Sequence, residues 1–201
     1  MGAAIGLADA EGIEALSIRR LAQELGVGAM SLYNHVANKE EILLGILDKV
    51  LSEAELVTDG AHWKSAIRRT AISAHETLVR HPWAAALMLS RTLPARMRYM
   101  EAILGNLRRG GFSAAQTDHG YHALDSHIAG FTLWLVGLDI DSETLPDQAR
   151  SFMQQLEADE YPYVIEHVHE HLKERDPQDE GEFAFGLDLI LDGLERMRDC
   201  A

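Results

Sequence analysis

Residues 17–39, SIRRLAQELGVGAMSLYNHVANK, decide how this chain is read. Ser17 is a good N-cap, because its hydroxyl can accept from a free amide of the first turn. Ile18, Leu21, Ala22 and Leu25 then recur on one helical stripe, and the small Ala22 lets a following helix cross closely. Gly26 stands where that helix must stop, since a left-handed backbone costs glycine little. Val27 is expected in the core. A second helix is predicted over 28–35, with Leu32 pointing inward four positions before Val36. Its outward face offers Ala29, Met30, Ser31, Tyr33, Asn34 and His35, types that touch bases and phosphates rather than ligate a catalytic centre. A helix, a tight glycine turn and a second helix form a helix-turn-helix, which sets one helix in the DNA major groove. The pattern points to a DNA-binding regulator rather than an enzyme.

The flanks fit the same unit. Asn38 can cap a third helix, and Glu41 stands at the reciprocal capping-box position. Lys39 lies at that helix's N-terminus, where the dipole disfavours a cation and a nearby phosphate would account for it. Ile42, Leu43, Ile46, Leu47, Val50 and Leu51 give this helix a buried face. Upstream, Ile5, Leu7, Ala8 and Ile13 mark the end of a first helix, with Gly12 as its terminator.

These pieces resemble a known family. Residues 5–51, through AEGIEALSIRRLAQELGVG and then SLYNHVANKEEIL, are similar to the DNA-binding domain of the tetracycline-repressor (TetR) family. Weaker matches follow in His81-Pro82-Trp83, Gly110-Gly111-Phe112-Ser113 and Tyr121-His122-Ala123-Leu124. The resemblance spans nearly the whole chain but is sharp only over its first quarter. It implies that Arg19 reaches a guanine edge and that Ala29, Met30, Ser31, Asn34 and His35 face bases or sugar-phosphate. It also implies that Tyr33 and Lys39 hold phosphates. From the residues alone, Arg19 and Arg20 read equally as a solvated helix face, Tyr33 as a core-edge aromatic and Met30 as internal packing. One departure is that no basic arm precedes the first helix in the sequence as given.

Composition sets outer bounds. A length of 201 residues suits a small DNA-binding domain, 1–52, and a larger domain, 53–201. The 47% hydrophobic content is enough for a core. One cysteine, Cys200, excludes an intrachain disulfide and fits a cytoplasmic protein. No signal peptide is visible, and the longest apolar run, 128–138, is too short for the roughly 20 residues of a membrane span. A net charge of −14 looks wrong for a DNA binder. Screening confines charge to about 10 Å, however, and residues 17–39 set Arg19, Arg20 and Lys39 against Glu24 alone. The acid lies in 139–143, 157–160 and 174–182, where it limits non-specific DNA binding.

After residue 60 the sequence reads as helix throughout. Trp63, Ile67, Ala71, Ala74 and Leu78 form one stripe. Pro82 opens a helix carrying Trp83, Leu87 and Met88. Pro94 opens another, with Met97, Met100, Ile103, Leu104 and Leu107 expected inside, and it ends at Gly110-Gly111. Ser113 with Gln116 caps a long helix to about Leu138. A loop over 139–147 follows, then short helices opened by Pro146 and Pro162, the latter reaching about Glu174. A last helix covers 181–198. The expected fold is all-α: an N-terminal three-helix helix-turn-helix domain plus a larger helical ligand-binding and dimerisation domain.

In the long and last helices, Tyr121, Leu124, Ile128 and Leu135, and Phe183, Leu187, Ile190, Leu194 and Met197, repeat at alternating threes and fours. The glycine pairs Gly130 with Gly137 and Gly186 with Gly193 lie seven apart. Core packing and a dimer seam both explain this. The resemblance implies the seam, as a four-helix bundle in a homodimer whose two heads grip a palindromic operator in double-stranded DNA. It also implies a pocket for a small-molecule effector. Candidates for its walls are Trp63, Leu78, Trp83, Leu87, Met88, Tyr99, Met100, Ile103, His127, Phe131 and Trp134, and aromatics and methionines with few charges suit a largely apolar effector. Where the tetracycline repressor has its drug-contacting asparagine and phenylalanine and a metal-binding histidine, this chain has Thr70, Ala74 and Met88. Those departures argue against magnesium-tetracycline as the effector.

The histidines leave an alternative. His167 and His171 have the i, i+4 spacing that can chelate zinc, with His169 between them; His119, His122 and His127 form a second set. The bland reading is a solvated helix face among Glu166, Glu170 and Glu174, and the sharper one a metal sensor or metal-dependent enzyme. No Gly-rich phosphate loop, nucleophile elbow or Cys/His pairing appears, so no cofactor and no catalytic residue is expected. The reading is a cytoplasmic, homodimeric, ligand-responsive regulator, most simply a repressor.

Overall fold

The computed structural model describes residues 1–58, 62–88, 93–137, 145–157, 159–173 and 180–200. Among these the regular structure is helical: α1 (Gly2–Glu11), a 3₁₀ turn (Ile13–Ala15), α2 (Ile18–Glu24), α3 (Ala29–Tyr33), α4 (Lys39–Leu51), α5 (Trp63–Arg80), α6 (Pro82–Met88), α7 (Pro94–Arg109), α8 (Ala114–Gly137), α9 (Leu145–Gln154), α10 (Pro162–His171) and α11 (Gly181–Asp199). The chain forms two compact units, one of Met1–Val136 with Glu182–Ala201 and one of Gly137–Gly181.

Local chemistry sets the helix starts. The Ser17 hydroxyl accepts from the Arg20 amide at 3.1 Å, and Asn38 Oδ1 from the Glu41 amide at 2.9 Å. The Glu41 carboxylate reaches back one residue further than a standard box and accepts from the Ala37 amide at 2.6 Å. Ser113 and Gln116 close a full capping box at 3.2 and 2.8 Å. Gly12 and Gly26 take φ of 82° and 66°, the left-handed conformation that lets α1 and α2 end in tight turns.

Two cores hold the first unit. In one, Ala4, Ile5, Leu7 and Ala8 of α1 meet Leu16, Leu21 and the apolar face of α4, namely Ile42, Ile46, Leu47 and Val50. Leu32 and Val36 pack against it. This core runs on without a break into Leu78, Trp83, Ala84, Ala85 and Met88, so packing does not divide near residue 52. In the other, α5, α7, α8 and α11 meet through Trp63, Ile67, Ile103, Leu107, Phe112, Leu124 and Leu187. Asn106 is buried among them and donates to the carbonyls of Val57 and Ala102 at 2.7 and 2.9 Å, so its burial is satisfied.

Several expectations shift. α3 is shorter than 28–35, because Asn34 already closes it. Val27, expected in the core, is exposed, and so is Leu25, the last of the predicted stripe, since α2 ends at Glu24 and Leu25 only caps it. Met97 faces outward on α7 rather than into the core. The expected loop over 139–147 falls mostly outside the described residues, and α9 begins at Leu145; Leu138 and Glu174 also lie outside them.

In the second unit α9 packs on α10. Tyr163 is 82% exposed there, and no α10 residue is buried. His167 and His171 stand one turn apart with ring centroids 6.2 Å from each other. Among the described residues no group of three potential metal ligands is gathered. No helix among them is long and apolar enough to cross a membrane.

Candidate functional site

At the head, the start of α2, the end of α3 and the start of α4 converge. Ser17, Ile18, Arg19, Tyr33, Ala37, Asn38 and Lys39 line one open cleft there. Three phosphate- or base-seeking side chains from separate helices therefore share one recess. The two adjacent arginines divide their roles. Arg20 is paired within the fold, to Glu11 and, at 3.2 Å, to Glu24. Arg19 is exposed on the cleft. Met30 is 77% exposed, which removes internal packing as its role, and Ser31, Tyr33, Asn34 and His35 are exposed beside it; only Ala29 is half-buried.

Behind the head lies a cavity of about 30 Å³, room for a water or two as it stands. Its apolar walls are Leu51, Ala54, Ala74, Leu78, Met88, Ala95 and Ile128, with Thr77, Arg96 and Tyr99 supplying polar atoms. The Thr77 hydroxyl is occupied, donating to the Ser73 carbonyl at 2.8 Å. Arg96 is paired to Asp125 at 2.6 Å, with both side chains mostly buried. Its guanidinium sits 5.4 Å from the Tyr99 ring centroid, a cation–π distance. The Tyr99 hydroxyl is buried with no hydrogen-bond partner among the described residues. Burial pushes it far above the ordinary tyrosine range, so it stays a protonated donor.

Cavity and cleft share α4. Lys39 opens that helix at the cleft and Leu51 ends it at the cavity. In its last turn, Asp48 Oδ1 accepts from the Ala95 amide at 2.7 Å. That amide is one of the unpaired donors at the start of α7, so a side chain of α4 caps the helix that carries Arg96 and Tyr99. A second tie runs from α1, where Asp9 Oδ1 accepts from Trp83 Nε1 at 2.7 Å and lies 2.8 Å from His81 Nδ1.

Comparison with known proteins decides the family. Residues 1–46 match the model for bacterial regulatory proteins of the tetR family, and residues 58–198 match the tetracyclin repressor-like C-terminal domain. The chain belongs to the TetR family. It is 34% identical, over 96% of its length and 74% of the relative's, to the HTH-type transcriptional repressor DrrR1 of Streptomyces coeruleorubidus. The Streptomyces coelicolor TetR-family protein ActR, in complex with actinorhodin, superposes with a TM-score of 0.74 at 30% identity, covering 97% of this chain and 94% of that one. BioQ bound to its double-stranded DNA operator superposes at 0.64 and 26% identity, covering 97% and 94%.

Within this TetR-family chain, the expected pocket residues scatter. Leu78, Met88 and Tyr99 line the cavity. Trp63 and Ile103 are buried in the second core, Trp63 edge-on to Phe112 at 4.8 Å. Trp83 is spent on Asp9, Leu87 packs against the first core, and Met100 faces an open groove on α7. His127 and Phe131 join a ring cluster with His75 and Phe183, and Trp134 is 56% exposed, off any interior wall. Arg96, Thr77, Ala95 and Leu51 were not anticipated. Arg96 follows a helix-opening Pro-Ala and reads in sequence as one more solvated cation.

The seam residues also divide. Tyr121, Leu124, Ile128, Phe183, Leu187 and Leu194 are buried in the chain's own cores. Ile190 is half-buried, while Leu135 and Met197 reach the surface. The outward apolar side chains of α11 include Phe185, 68% exposed, and Leu189, 56% exposed. The helices are apolar on more than one side, and the three-four repeat does not say which side meets the same chain.

Proposed function

We propose that this chain is a homodimeric repressor that holds a palindromic operator and lets go when a small, largely apolar effector occupies the cavity at Tyr99. Residues 1–52 are the DNA-binding part, with Arg19, Met30, Ser31, Asn34 and His35 toward base edges or sugar-phosphate and Tyr33 and Lys39 on phosphates. Residues 53–201 carry effector and partner subunit. One observation carries the reading: a single helix, α4, ends in the cavity wall at Leu51 and begins in the cleft at Lys39. Thirteen residues at 1.5 Å each make it a rod of about 20 Å. Because the cavity as it stands is far smaller than a drug-sized ligand, filling it displaces wall residues, Leu51 among them. The relatives support the two partners, since ActR takes a small molecule and BioQ an operator. Dimerisation is assigned to the outward faces of α8 and α11, where Phe185, Leu189 and Trp134 are otherwise left in water.

The deciding experiment is fluorescence anisotropy of the purified protein on DNA from upstream of its own gene, at two salt concentrations with random DNA as competitor. Competitor-resistant binding of one dimer per site, weakening modestly with salt, is expected. Linkage is reciprocal, so an effector that releases DNA must bind more weakly, by the same factor, when operator is present. Equal effector affinity with and without operator would sink the mechanism.

A further inference from the structure

Resting on the effector reading of the cavity, we infer that the effector carries, on an otherwise apolar body, one uncharged oxygen that accepts a hydrogen bond from the Tyr99 hydroxyl beside Arg96. Three observations carry this. Tyr99 lines the cavity, and its hydroxyl, a strong donor, is buried with no partner among the described residues. A buried hydroxyl left unpaired is destabilising, and a bound acceptor relieves that cost. Of the other polar groups of the wall, Thr77 donates to Ser73 and Arg96 donates through Nη2 to Asp125 Oδ2 at 2.6 Å; behind it Asp125 Oδ1 is itself buried without a partner among the described residues, one more acceptor that a carboxylate would face.

That ion pair decides the charge of the ligand. Arg96 brings a positive charge to the wall, but Asp125 already balances it. A carboxylate entering the cavity would lose its hydration, face Asp125 across Arg96 and gain no unpaired cation. A carbonyl or hydroxyl oxygen loses far less and meets the free donor. The rest of the wall, Leu51, Ala74, Leu78, Met88 and Ile128, offers only carbon and sulfur. Selectivity follows from the asymmetry of polar recognition. A site built around one buried donor discriminates against an analogue lacking the acceptor more strongly than an apolar wall discriminates by shape.

The test uses three matched solutes, naphthalene, 1-naphthol and 1-naphthoate, titrated calorimetrically into the full-length protein and its Tyr99→Phe variant. The naphthol is expected to bind the parent about tenfold more tightly than naphthalene, with the naphthoate weakest. In Tyr99→Phe the naphthol advantage should vanish while naphthalene affinity holds. Melting the two proteins without ligand adds an independent readout. Removing an unpaired buried hydroxyl should leave the melting temperature unchanged or raise it. A lower one would mean that the hydroxyl serves the fold, and would overturn the assignment. Equal binding of naphthol and naphthalene, an advantage that survives in Tyr99→Phe, or naphthoate as the tightest solute would each overturn the inference while leaving the cavity an effector site. Binding of none of the three would overturn the cavity reading itself.

Discussion

Arg19 and Lys39 open onto one cleft, and the function proposed above gives them different parts of DNA. A base-edge contact discriminates between sequences, whereas a phosphate contact does not. Arg19→Ala is expected to weaken operator binding by about 1–3 kcal/mol and random DNA much less. Lys39→Ala should weaken both and lower the salt slope by about one. Anisotropy titrations on the two DNAs at several salt concentrations check both. Gly110 shows a different constraint: its φ of −71° suits any residue, but an added Cβ would stand 2.6 Å from Trp63 Cγ. Trp63 is itself held edge-on by Phe112, so Gly110→Ala should cost about 1–3 kcal/mol, read as a lower melting temperature. At this scale the sequence was largely legible. The caps at Ser17, Asn38 and Ser113 are interactions within four residues, so local chemistry decides them. Tyr99 was anticipated at the cavity, but its unpaired hydroxyl was not, because what it fails to meet belongs to helices far off in sequence.

Elements bring in neighbours, and there the sequence says less. The paired glycines of α8 and α11 look alike in spacing, yet the fold separates them. A Cβ on Gly186 would lie 2.5 Å from His127 Cε1, on a ring fixed by stacking on Phe183 and by its 3.0 Å contact with the Phe183 carbonyl. Gly130, Gly137 and Gly193 have nothing within 4 Å. Gly186→Ala is therefore expected to destabilise the monomer fold. Gly193→Ala gains helix propensity of about 1 kcal/mol if its face is in solvent. Packed against a partner subunit, it should instead loosen the dimer, and sedimentation equilibrium of the variant against the parent separates the two. Helix existence in this region was readable from Pro94, Pro162 and the Ser113–Gln116 box. Helix orientation was not, because Leu124 and Leu187 inside and Phe185 and Leu189 outside are the same chemistry until a second helix is placed.

For the whole molecule, acid is the informative stress. Burial, and then the neighbouring charge of His127, hold His75 down at about 4 from an ordinary 6.5. An unfolded chain thus takes up a proton between those values that the folded chain refuses. Stability is complete above about pH 6.5 and falls as the pH drops toward 4. The group is only half-buried, so the loss is on the order of 1–2 kcal/mol. The melting temperature should fall faster from pH 6.5 to 4.5 in the parent than in His75→Gln; equal slopes would remove His75 as the cause. The contact between Asp48 and the Ala95 amide works at this scale too. It grips main chain, so it is indifferent to the side chains on either side of it. On the function proposed above, evolution or a designer of biosensors is then free to exchange the lining of the cavity for a new chemical signal without rewiring the output.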